Sequence, residues 1–144
     1  MGIEPSDILL DGRVAVVTGG GAGIGRGIAA GFAAFGASVA IWEKDPEACA
    51  AAAAEIGVLG LPTDVRDSAA VDADLAQTTD ELGPVSILVN NAGGVFASPL
   101  LDTTGNGWDA LYRANLRHVL LCTQRVARGM IAAGIGGSVT AVTS

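Results

Sequence analysis

Thr18-Gly19-Gly20-Gly21-Ala22-Gly23-Ile24-Gly25 stands between the apolar run Val14-Ala15-Val16-Val17 and a helical pattern of Ile28, Ala29, Phe32, Ala33 and Phe35. A strand that breaks into a glycine turn and re-enters as a helix aims free backbone N–H groups at one spot. The positive end of the helix dipole points there too. Bare glycines let a phosphate or pyrophosphate approach that spot closely. The stretch therefore points to an α/β protein built to hold a nucleotide.

Three readings of the loop compete. A P-loop needs a lysine and a hydroxyl after its last glycine, and Arg26-Gly27 stand there instead. The common dinucleotide pattern Gly-x-Gly-x-x-Gly fails from Gly19, Gly21 and Gly23, because Ile24, Arg26 and Ile28 occupy the sixth positions. The wider spacing Thr-Gly-x-x-x-Gly-x-Gly fits at Thr18, Gly19, Gly23 and Gly25. A plain strand-to-helix turn also satisfies the loop taken alone, so the rest of the chain decides.

The 144 residues are 50% hydrophobic, enough to bury one core and little more. A net charge of −7, with eight scattered cations, speaks against nucleic acid as a partner. No apolar run reaches membrane-spanning length, and Met1-Gly2-Ile3-Glu4-Pro5 lacks the parts of a signal peptide. Cys49 and Cys122 sit in separate helical patterns without a CxxC and read as reduced core fillers of a cytoplasmic protein. No metal-ligating cluster is expected.

Beyond a lead segment over 1–11, strand-like and helix-like stretches alternate. Strands are expected at 13–18, 38–42, 58–61, 86–89 and 138–143. Helices are expected over 23–35, 46–56, 68–82 and 108–133. Ser68 reads as an N-cap, Gly83-Pro84 as a stop, and Trp108 as the anchor of the last helix. Such alternation predicts a single α/β domain: a Rossmann-type doubly wound parallel sheet with helices on both faces, truncated after the fifth strand. Ligands bind such sheets at the carboxyl ends of the strands. Thr18 to Gly25, Glu43, Asp64 and Asn90 to Gly93 all fall there.

With these residues in hand, the chain resembles the classical short-chain dehydrogenase/reductase family from Gly12 to Ser144. The motifs are Thr18-Gly-x-x-x-Gly-x-Gly25, Asp64-Val65, Asn90-Asn91-Ala92-Gly93, Asn115-Leu116 and Gly137-Ser138-Val139-Thr140-Ala141-Val142-Thr143-Ser144. The resemblance implies hydride transfer between a small alcohol or carbonyl substrate and NAD(H) or NADP(H). It also implies a homodimer or homotetramer for the full-length form.

Within that resemblance, Gly19, Gly21, Gly23, Ile24 and Gly25 cradle the pyrophosphate. Glu43 ends strand two and can accept hydrogen bonds from the adenosine ribose, which favours NAD over NADP. A solvated carboxylate after a strand is the plain alternative. Asp64 and Val65 meet the adenine, although Asp64 also suits an Asx turn. Asn91, Ala92 and Gly93 pass the second half of the cofactor, with Asn90 bracing the central strands and Trp42 beside the adenine pocket. Asn115, on the apolar stripe Leu111, Asn115, Val119, Cys122, Val126 and Met130, is either a buried structural amide or the catalytic asparagine that holds a water. Ser144 matches the catalytic serine, with Thr143 as the neighbouring choice. His118 reads as a surface or packing residue facing partly outward.

The family's acid/base pair is Tyr-x-x-x-Lys on the helix after strand five. Here Tyr112 is the only tyrosine, residue 116 is Leu116, and the only lysine is Lys44. The chain thus reads as the first part of a dehydrogenase subunit, inactive by itself. The alternative is a non-catalytic, NAD-binding remnant or regulatory protein. An open fifth strand and an apolar long helix further predict aggregation or mixed oligomers.

Overall fold

Alternate residues of the first strand feed two separate cores, and that alternation organises the molecule. In a computed structural model describing residues 2 and 4–143, β1 spans Val14–Thr18 and is buried along its whole length. Val14 and Val16 join a cluster with Trp42, Leu88, Val71, Cys122 and Val126 on one side of the sheet. Ala15 and Val17 join Ala29, Ile41, Cys49, Ala52 and Val89 on the other. A strand that is apolar on both faces must lie between two helical layers.

The remaining elements follow in alternation: α1 Gly23–Ala34, β2 Ser38–Glu43, α2 Pro46–Ile56, β3 Leu59–Pro62, α3 Ser68–Leu82, β4 Ile87–Asn90, α4 Gly105–Tyr112, α5 His118–Ala132 and β5 Ser138–Ala141. All four strand pairings are parallel, in the order β3-β2-β1-β4-β5. Strand order reverses at β1, so a crevice opens where β1 and β4 end side by side. The expected fold class is thus the observed one, with strand ends shifted by one or two residues. The lead segment forms one 3-10 turn over Pro5–Ile8, and Leu10 N–H donates to the Phe35 carbonyl at 2.7 Å.

Helix ends follow local chemistry. Asp45 caps α2 by accepting from the N–H groups of Glu47 (3.0 Å) and Ala48 (3.2 Å). The cap of α3 is Asp67 rather than Ser68: its carboxylate accepts from Ala69 N–H (2.9 Å) and Ala70 N–H (3.4 Å), and Ser68 is the first helical residue. A charged acceptor at the positive helix end outcompetes the adjacent hydroxyl.

The expected helix over 108–133 needs a larger correction. It begins earlier, at Gly105, where Thr104 accepts from Gly107 N–H at 3.1 Å. Trp108 lies inside α4 and is exposed, so it anchors nothing there. A π-type turn over Arg113–Arg117 then separates α4 from α5. The wide turn rotates everything after it. The buried stripe becomes His118, Cys122, Val126 and Met130, while Asn115 is exposed. His118, expected to face outward, is only 1% exposed. Both cysteines are free and buried, and burial pushes the Cys122 thiol up to about 12.

Candidate functional site

Thr18, the last residue of β1, fastens the glycine turn to the end of β4. Its hydroxyl accepts from Asn91 N–H and Ala92 N–H, each at 3.0 Å, and donates to the Val89 carbonyl at 3.4 Å. The Asn91 amide closes the joint by donating to the carbonyls of Thr18 (3.1 Å) and Gly19 (3.2 Å). Gly25 sits directly beneath, where a Cβ would strike the Gly19 carbonyl and the Asn91 amide. Backbone and a bonded side-chain amide close in on Gly25 here, and only glycine fits.

Above this joint the start of α1 is bare. Its N-cap, Ala22, offers no side-chain acceptor, and its first turn carries no acid. By contrast α2, α3 and α4 are capped by Asp45, Asp67 and Thr104. The unpaired N–H groups and the helix dipole together favour an anion at this end.

A cleft of about 220 Å³ runs from this region across the strand ends, bordered by Gly19, Glu43, Lys44, Asp64, Val65, Arg66, Asn91, Ala92, Gly93, Gly94 and Ala114. Glu43 is held in place: one carboxylate oxygen accepts from Gly21 N–H at 3.2 Å, the other from Asp45 N–H at 3.1 Å. A Cβ on Gly21 would come within 2.6 Å of the Glu43 Cγ. Asp64 forms its Asx turn by accepting from Arg66 N–H at 3.0 Å. The Arg66 guanidinium also grips that carboxylate, through Nε at 2.8 Å and Nη2 at 2.5 Å, and holds its pKa down at about 2.

The structure thus brings Gly19, Glu43, Asp64, Val65, Asn91, Ala92 and Gly93 to one cleft. Gly21 lies at its edge through Glu43, and Gly25 supports it from below. Gly23 and Ile24 begin α1 on the exposed side. Trp42 borders the cleft, but its ring lies in the core, with Nε1–H donated to the Thr78 hydroxyl at 3.3 Å. Asn90 is buried, and its side chain donates to the Thr123 hydroxyl of α5 at 3.3 Å, tying β4 to a helix rather than bracing the central strands.

Asn115 is not the interior amide anticipated. The π-type turn carries it to the surface, where Nδ2 donates to the carbonyls of Gly94 (2.7 Å) and Leu111 (3.0 Å) and Oδ1 accepts from Gly94 N–H at 3.1 Å. Ser144 lies outside the described residues. Sequence reasoning gave Thr18 as the first position of the glycine motif without the role of its hydroxyl, and it passed over Arg66. That role was legible in a polar residue ending a buried apolar strand, and Arg66 as the cation two places after Asp64. Among the described residues no three or more His, Cys, Asp or Glu side chains are placed to hold a metal ion, and no helix is long and apolar enough to cross a membrane.

Comparison with known proteins places this geometry. A family model described as short chain dehydrogenase matches residues 13–144. The chain is 40% identical over 137 residues to a sorbitol dehydrogenase of Cereibacter sphaeroides, covering 94% of this chain and 54% of that protein. It is 43% identical over 135 residues to a D-xylose 1-dehydrogenase of Caulobacter vibrioides, covering 90% and 52%. A 7α-hydroxysteroid dehydrogenase solved with NADH and 7-oxo glycochenodeoxycholic acid superposes with a TM-score of 0.93 at 32% identity, over 99% of this chain and 57% of that one. The chain spans about half the length of the curated relatives it matches.

Proposed function

The chain belongs to the short-chain dehydrogenase family, and from that premise we propose that it forms the cofactor-binding part of an oxidoreductase acting on a small alcohol or carbonyl substrate. The observation that carries this reading is one cleft in which an uncapped helix start and a pinned carboxylate, Glu43, lie on either side of a close-packed glycine turn.

The residues fit a nicotinamide dinucleotide. Backbone N–H groups of Gly19 to Gly25 and the start of α1 would hold the pyrophosphate. Glu43 would accept from the adenosine ribose, and Asp64 with Val65 would border the adenine. Asn91, Ala92 and Gly93 would flank the second nucleotide half. When bound, the cofactor supplies the hydride donor or acceptor. Asn115 fixes Gly94 from the helix side, and by family resemblance its remaining acceptor capacity would hold a water near the reacting centre.

NAD is preferred over NADP in this proposal, because a 2′-phosphate would meet the Glu43 carboxylate. Lys44 and Arg66 border the same cleft, but Arg66 is already committed to Asp64. The chain of 144 residues binds the cofactor without turning it over, since it holds no Tyr-x-x-x-Lys. The longer protein would act in the cytoplasm, where Cys49 and Cys122 stay reduced, as a homodimer or homotetramer. Sorbitol and D-xylose, named for two relatives, make small polyhydroxylated compounds the first substrates to assay.

Fluorescence titration with NADH and NADPH tests the reading. Saturable NADH binding that exceeds NADPH binding is expected. Tighter NADPH binding would overturn the cofactor preference, and no binding of either would overturn the dinucleotide site.

A further inference from the structure

Gly21 is a glycine for a reason other than backbone freedom. Its φ is not positive, unlike those of Gly19 and Gly23, so no left-handed conformation calls for a glycine there. What excludes a side chain is Glu43. A Cβ on Gly21 would lie 2.6 Å from the Glu43 Cγ and 3.1 Å from both Cδ and Oε2, and these are its three nearest atoms. The carboxylate hangs from that Cγ, so relief of the clash requires the whole carboxylate to swing away.

Two backbone donors fix the carboxylate in place. Gly21 N–H donates to Oε2 at 3.2 Å, and Asp45 N–H donates to Oε1 at 3.1 Å. Each oxygen keeps acceptor capacity for a ligand hydroxyl. The turn meets β2 a second time through Gly19 N–H, which donates to the Trp42 carbonyl at 2.7 Å. Gly21 is itself buried, and its N–H is spent on Glu43, whereas the N–H groups at the start of α1 have no side-chain cap. One loop thus carries two separate tasks: α1 offers its bare N–H groups to an anion, and Gly21 serves the carboxylate.

We propose that Gly21 is a positioning residue for cofactor choice: its bare Cα and its N–H hold the Glu43 carboxylate where it accepts from a ribose hydroxyl and repels a 2′-phosphate. This rests on the reading of the cleft as a dinucleotide site in which Glu43 favours NAD. A methyl group at residue 21 displaces the carboxylate and breaks its bond to the Gly21 N–H. Lys44, which borders the same cleft, then loses the negative charge that opposes it.

A double-variant cycle separates this role from a general disturbance of the turn. The 144-residue chain, Gly21→Ala, Glu43→Ala and the double variant are titrated with NADH and NADPH and unfolded in urea. Gly21→Ala is expected to raise the ratio of NADPH to NADH affinity about tenfold, the scale of one charge removed from contact range. Glu43→Ala should raise it as far, and the double variant no further, because the added methyl acts only through a side chain that is gone. In urea, Gly21→Ala should lower the unfolding midpoint of the wild-type chain but not that of Glu43→Ala, where no Cγ remains to meet. Equal weakening of both cofactors by Gly21→Ala overturns the inference, since a crowded pyrophosphate would give that result. An unchanged ratio in folded Gly21→Ala overturns it too, as does a further rise in the Glu43→Ala background. Should Gly21→Ala fail to fold, recovery of the fold in the double variant supports the inference, and a double variant that also fails overturns it. The wild-type titration tests the underlying reading separately: binding of neither cofactor overturns the dinucleotide site, and tighter NADPH binding overturns the role of Glu43.

Discussion

Gly25 tolerates no side chain, because backbone and a hydrogen-bonded side-chain amide close around it. A Cβ there meets the Gly19 carbonyl and the Asn91 amide, neither of which can move without opening the joint between β1 and β4. Gly25→Ala is therefore expected to lower stability by about 1–3 kcal/mol and to abolish NADH binding. Urea denaturation and fluorescence titration would register the two losses. Glu43 decides a different property. Glu43→Ser removes the carboxylate that the proposed site sets against the ribose, while Lys44 and Arg66 stay in the cleft. The ratio of NADPH to NADH affinity should rise by about tenfold or more, the scale of one unit charge at contact range near a protein surface. An unchanged ratio would show that Glu43 does not set cofactor preference.

At the scale of the element, the caps and the π-type turn show what was legible and what was not. Helix α2 could be read to the residue, because Asp45, Pro46 and Gly57 punctuate it chemically. Helix α3 was legible in extent but not in its cap, since Asp67 and Ser68 are both good N-caps and only the structure chooses. Asp67→Ala should cost about 1 kcal/mol in chemical denaturation, against a few tenths for Ser68→Ala. The reverse order would contradict the observed cap. The π-type turn was not legible. One extra residue in a helix leaves the spacing of Leu111 and Asn115 as plausible as before, yet it exchanges which later face is buried. Its mark is His118, whose pKa burial holds below the ordinary value against the opposing pull of the Ala92 and Ala114 carbonyls. A group with a depressed folded pKa releases its proton on folding, so the stability it permits is complete above about pH 6.5 and declines as pH falls below that. His118→Asn should flatten this limb of a stability-against-pH curve measured by urea titration. An unaltered limb would assign it to other groups.

For the whole molecule, the glycine turn, the parallel alternation and most of the cleft were legible because each is written in local sequence at strand ends. What remains exposed is a tertiary matter. Strand β5, Ser-Val-Thr-Ala, is the outermost strand on its side among the described residues, and all four of its residues are exposed. It carries no charge and no proline, the devices that ordinarily keep a sheet edge from pairing with another chain. Across α4, the π-type turn and the start of α5, Trp108 (66% exposed), Leu116 (61%) and Leu120 (59%) also face outward. An open edge and an apolar helical surface offer two independent routes to self-association, so their products should be mixed rather than one closed assembly. We expect the isolated 144-residue chain to elute from gel filtration with light scattering as a concentration-dependent mixture of oligomers and to melt without a single cooperative transition. Thr140→Lys, which sets a charge on the edge strand, should reduce the larger species and leave association through the helical face. A concentration-independent monomer with one calorimetric transition would show that neither surface is sticky enough to matter.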